Sequence, residues 1–137
     1  MNDYRYEVSL RVTHPAASAD EVCSLLRLDA IMKRSVGKVR TTNKGKSIPG
    51  VWSETYCGLE IDSTPEMPLA ECLQRLLVLI KEREGSLREL QRSGGRASVY
   101  VLATPIEGTF GETLCWNTMR ELALLELDLS MEIYGVN

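Results

Sequence analysis

A chain of 137 residues is a single domain by length, long enough to bury roughly two-thirds of the surface its unfolded form exposes. Hydrophobic residues make up 44% and charged residues 26%, near the globular average, which argues against disorder. No apolar run approaches the ~18 residues needed to span a bilayer, and Met1 to Arg5 lead straight into an alternating segment rather than a signal peptide, so the expected location is the cytoplasm, with no membrane partner.

The first predicted element is a strand. Tyr4, Tyr6, Val8, Leu10 and Val12 alternate with Arg5, Glu7, Ser9, Arg11 and Thr13, the pattern of a half-buried strand that ends at His14-Pro15. Ser18 and Glu21 form a capping-box signature. A helix is expected from about Ala19 to Leu28, with Val22, Leu25 and Leu26 as its apolar stripe and Ile31 as a further member. Val39 to Thr42 reads as a strand and Asn43-Lys44-Gly45 as a turn. Ser53 to Ile61 is extended again.

Thr64 to Pro68 punctuates the chain. Leu69, Leu73, Leu76, Leu77 and Ile80 then recur at helical spacing. The helix either continues to Gln91 or breaks into two near Gly85, where Ser86 and Glu89 offer a second capping box; Gly94-Gly95 ends it. Ala97 to Thr104 is a strand apolar on both faces, as in the middle of a sheet. After a loop from Pro105 to Gly111, Thr118 and Glu121 suggest a third capping box, with Leu122, Leu125 and Leu129 continuing a helix. A last strand is expected at about Ser130 to Tyr134. The order of elements implies an α+β two-layer domain, a mostly antiparallel sheet with helices packed on one face, and hints at two split βαβ halves.

The charge pattern is lopsided. No acid lies between Asp29 and Glu54, yet that stretch holds Lys33, Arg34, Lys38, Arg40, Lys44 and Lys46. The other 10 basic residues face all 19 acids, 10 − 19 = −9, so a net charge of −3 hides a basic island on an acidic body. Such an island attracts an anionic partner, or it is a solvated hairpin. Trp52 and Tyr56 lie beside it on one face of an extended segment. They could stack bases, but large aromatics more often pack as core against helices. Arg11 and Arg40 read as structural groups that stack on a ring or pair with a carboxylate.

Chemistry-bearing motifs are absent from the sequence. Gly45-Lys46-Ser47 lacks the preceding glycine of a phosphate loop, since Arg40 stands there, and Ile48-Pro49-Gly50 forbids the helix that must follow. His14, the only histidine, reads as a surface turn residue. Glu54, Glu60 and Asp62 read as solvent-facing. Cys23, Cys57, Cys72 and Cys115 include no close ligand pair, so reduced, mostly buried thiols are expected, with no metal and no cofactor.

The chain resembles a bacterial family of unknown function, number 4279 among such domains. The matching features are Tyr6 to Leu10, Leu26-Arg27-Leu28, Gly37-Lys38 and Lys44-Gly45-Lys46, Val51-Trp52-Ser53, the leucine helix, Leu122-Ala123 and Met131 to Tyr134. The resemblance implies an α+β fold and a small stand-alone bacterial protein, and it carries no catalytic residue. The expected function is that of a non-enzymatic binding protein with a protein partner, such as an immunity protein that plugs a toxin with its acidic body. The alternative is a nucleic-acid or anionic-ligand binder using Lys33, Arg34, Lys38, Arg40, Lys44, Lys46, Trp52 and Tyr56.

Overall fold

The computed structural model describes residues 4–61, 67–105 and 111–134. The punctuation at Thr64 to Glu66, the loop from Ile106 to Phe110, Asp62 and the side chains of Tyr4 and Glu60 lie outside the described parts.

Alternation in the N-terminal segment produces strand β1 (Tyr4–His14). It pairs antiparallel with both β5 (Thr55–Glu60) and β6 (Arg96–Pro105). Strand β2 (Ala30–Arg34) adds antiparallel to β5, and β7 (Asp128–Ile133) adds parallel to β6. The five-stranded order is β2-β5-β1-β6-β7, a mostly antiparallel sheet in an α+β fold. Because β5 runs antiparallel to both β2 and β1, the unit β1-α1-β2 is a split βαβ, with β5 between its parallel strands. The C-terminal unit β6-α4-β7 is not split, since its strands are neighbours.

Among the described residues four helices cover one face. They are α1 (Ala19–Leu26), α2 (Leu69–Lys81), α3 (Glu84–Arg92) and α4 (Trp116–Leu124). Tyr6, Val8, Leu10 and Val12 of β1 are buried together with Ala97, Val99, Val101 and Ala103 of β6. Against them pack Leu69, Leu73, Leu76, Leu77 and Ile80, the stripe read from the sequence. A one-residue slip in either strand would turn this apolar row to solvent, which fixes the register.

Several boundaries differ from the sequence reading. Helix α1 stops at Leu26 because Arg27 adopts φ 55, a left-handed cap. Ile31 is therefore not part of a helical stripe; it belongs to β2 and is exposed. The Ser18 hydroxyl does accept from the Glu21 amide, at 3.1 Å. The long helix does break into two near Gly85, at residues 82–83, but Ser86 and Glu89 lie inside α3 and form no cap. Arg83 marks that break. Its guanidinium donates to the carbonyls of Leu26 (2.8 Å) and Leu79 (3.0 Å), capping α1 and holding it to the α2–α3 junction. Helix α4 starts at Trp116, two residues before Thr118, which is buried in its first turn.

His14 is likewise not a surface residue. It is 4% exposed, and its Nδ1 accepts the amides of Ala16 (3.0 Å) and Ala17 (2.8 Å). That leaves Nε2 as the donor to Ser93 Oγ at 2.8 Å, and Ser93 in turn donates to the Leu90 carbonyl. The imidazole is a joint between the end of β1 and the end of α3.

Lys33 and Arg34 of the basic stretch lie on β2, and the rest of it forms a separate two-stranded hairpin, β3 (Val39–Thr41) and β4 (Ser47–Val51), outside the main sheet. Reciprocal backbone bonds close its base, from Gly37 N to Trp52 O and from Trp52 N to Lys38 O, both 2.9 Å. A strand follows Gly45-Lys46, so the phosphate-loop geometry is absent there.

Candidate functional site: arginines and rings on the open face of the sheet

The face of the sheet turned away from the helices carries the other half of each alternation. Register decides what meets there. Arg11 on β1 lies opposite Gly58 on β5 and Ser98 on β6, so small residues flank it on both sides. Its nearest large neighbours are the diagonal ones, Tyr56 and Tyr100. The guanidinium sits 4.5 Å from the Tyr100 ring centre and 5.9 Å from that of Tyr56. On β2, Arg34 is opposite Tyr56 and lies 5.9 Å from its ring and 4.6 Å from the ring of Trp52. Arg40, from the hairpin, reaches the other end of the row, 5.5 Å from Trp52.

The result is an alternating ladder: Arg40, Trp52, Arg34, Tyr56, Arg11, Tyr100. Each contact is worth roughly 0.5–1 kcal/mol at an exposed site, so the row stiffens side chains more than it stabilises the fold. A guanidinium lying on a ring still presents its N–H edge, which is the part that recognises a carboxylate or phosphate. Among the described residues no carboxylate reaches Arg11, Arg34 or Arg40 within ion-pair distance. Arg11 donates from Nε to Ser9 Oγ at 3.0 Å, and among the described residues no other hydrogen bond engages its guanidinium. At the far end the Tyr100 hydroxyl donates to the Glu132 carboxylate. That bond, with some burial, pushes the phenol up to about 12.

Trp52 and Tyr56 are therefore not core residues packed on the helices. Both are half-buried on the open face, sandwiched between arginines. The alternation of Tyr56 with the buried Thr55 and Cys57 puts it there. Of the basic island, only Arg34 and Arg40 join the ladder. Lys33 points the other way and pairs with Asp20 at 2.8 Å, which raises the lysine's pKa and lowers that of the aspartate. Lys38, Lys44 and Lys46 sit exposed along the hairpin, without a carboxylate partner among the described residues. Glu54 is exposed, as read from the sequence.

Beside Arg11 the open face dips into a concavity of about 390 Å³. Tyr56 and Tyr100 wall it, Arg11, Arg96 and Asp128 supply charge, and Ser98 and Ser130 supply hydroxyls. Of these residues the basic island pointed only to Tyr56. Arg96, Ser98 and Asp128 lie far from it in sequence and converge only because β1, β6 and β7 are neighbours.

Part of the charge of the acidic body is paired locally. On the helix side, Glu121 pairs with Lys81 (2.8 Å), Glu126 with Arg88 (3.3 Å) and Glu71 with Arg75 (3.5 Å). Cys57 and Cys72 are buried, Cys23 is half-buried and Cys115 is exposed. Among the described residues no three His, Cys, Asp or Glu side chains gather as a metal site, and no helix is long and apolar enough to cross a membrane. No protein-family model, curated protein or solved structure matches the chain.

Proposed function

We propose that this chain is a non-enzymatic binding protein whose docking surface for a protein partner is the open face of the sheet. The observation that carries the reading is the ladder of three guanidiniums lying over the rings of Trp52, Tyr56 and Tyr100, 4.5 to 5.9 Å from their centres. Arg, Tyr and Trp are the residues that dominate binding energy at protein interfaces, and their side-chain entropy is already spent here. The helix-layer carboxylates share basic neighbours, which favours the open face over an acidic body as the docking surface. A toxin neutralised by this chain would then present acids to it. Membership of family 4279 and a cytoplasmic location are proposals of the same standing.

A second reading, a nucleic-acid or anion binder, is favoured by Lys38, Lys44 and Lys46 on an exposed arm. One comparison separates the two. Immobilised wild type, Arg34→Gln, and the double variant Lys44→Glu/Lys46→Glu are offered lysate with and without nuclease treatment. The first reading expects a nuclease-resistant protein partner that the double variant keeps and Arg34→Gln loses. Retention of nucleic acid that the double variant abolishes favours the second.

A further inference from the structure

We infer that the concavity beside Arg11 is a subsite for a carboxylate side chain on an acidic, extended protein segment. This rests on the open-face reading above and names the chemistry of the partner.

The charge of the subsite carries the argument. Arg11 and Arg96 bring two positive charges and Asp128 one negative, so its lining has a net charge of +1, and the Glu132 carboxylate next to it is engaged by the hydroxyl of the Tyr100 wall. A carboxylate completes it. A phosphomonoester, at about −1.5 to −2, overshoots and meets the Asp128 carboxylate as a like charge. Nothing among the described residues already satisfies the site. Among the described residues the Arg96 and Asp128 side chains make no ion pair or hydrogen bond, and the Arg11 guanidinium uses only Nε, on Ser9. A guanidinium offers paired donors to a planar carboxylate, while Ser98 and Ser130 can serve its remaining lone pairs.

Asp128 has a further use when the ligand is a polypeptide. A backbone N–H of the bound segment gives it a donor, which a DNA phosphodiester backbone does not offer. The tyrosine walls suit the methylene groups of a Glu side chain. The volume, about 390 Å³, falls at the small end of ligand sites and fits one or two side chains.

The test is fluorescence anisotropy with a labelled peptide alternating Glu and Ser. Inorganic phosphate and a single-stranded oligonucleotide of equal charge serve as competitors. Wild type should bind the peptide in preference to both competitors. Arg11→Gln should weaken binding about tenfold or more, as expected for losing charged hydrogen bonds. Arg11→Lys, which keeps the charge and loses the fork, should fall between, and it guards against a folding defect in the glutamine variant. Asp128→Asn should turn phosphate into an effective competitor. No peptide binding, equal competition by phosphate or oligonucleotide on the wild type, or indifference to both Arg11 substitutions would overturn the inference. A natural partner lost in Arg34→Gln while the peptide fails would leave the open-face reading standing and this inference refuted.

Discussion

Arg11 and Gly58 are cross-strand partners on β1 and β5, and a Cβ at Gly58 would come within 3.0 Å of Arg11 Nη1. The missing side chain is the seat on which the guanidinium lies between the two tyrosines. Glycine in a strand costs roughly 0.5–1 kcal/mol relative to alanine. Gly58→Ala recovers that amount and displaces only the flexible end of Arg11 and the exposed Ile31. The variant should therefore match wild-type stability within about 1 kcal/mol while lifting Arg11 off its ring. The check is the Arg11 Nε–H resonance, which should lose its hydrogen-bonded shift and its protection. An unchanged resonance contradicts the seat.

The core gives a prediction of the opposite kind. Leu76 is 0% exposed and sits mid-stripe on α2. Leu76→Ala should cost about 2–5 kcal/mol, the range for a buried leucine whose cavity cannot collapse. Urea unfolding measures it, and an unchanged midpoint would mean that α2 turns a different face to the sheet.

How much was legible in the sequence depended on the range of the interaction. The α2 stripe and the β1 alternation are local periodicities, and both survived folding unchanged. The Ser18–Glu21 cap did too, since it closes within one turn. The capping pattern at Ser86 and Glu89 did not, because Arg83, reaching carbonyls of two helices, sets the break instead. Strands β2 and β4 lack a strong period of their own; β2 exists because β5 offers an edge. The ladder was half legible. The sequence put Trp52 and Tyr56 beside basic residues, but the partnership with Arg11 and Tyr100 is a matter of register across strands more than forty residues apart.

Arg83 shows what such a long-range contact is worth. With its side chain largely buried, Arg83→Met keeps the packing and removes the donors to Leu26 and Leu79. Losing them should cost about 1–3 kcal/mol. Hydrogen exchange should show the loss first at the C-terminal end of α1. Uniform loosening across the sheet would contradict a local capping role.

The four thiols should separate by reactivity. Burial pushes the Cys57 thiol up to about 12, and it also raises Cys72 and Cys23. Cys115 is exposed, and hydrogen bonding from the Thr118 hydroxyl lowers its pKa. At neutral pH a thiol reagent should modify Cys115 first, with Cys57 and Cys72 reacting only on unfolding. The folded pKa of Cys57 exceeds its ordinary 9.0, so its neutral form favours the fold below pH 9.0 and that contribution fades as pH rises towards about 12. Mass mapping of the labelled protein decides the order. Cys57 labelling as fast as Cys115 contradicts it, and the same samples should contain no stoichiometric zinc.

The central claim is that recognition runs through the open face of the sheet. The most direct measurement is an amide and side-chain NMR titration of labelled protein with the Glu-Ser peptide. Shifts should concentrate at Arg11, Thr13, Tyr56, Ser98 and Ser130, on strands β1, β5, β6 and β7. Shifts confined to the hairpin at residues 38–46, or to the helix layer, would contradict the account.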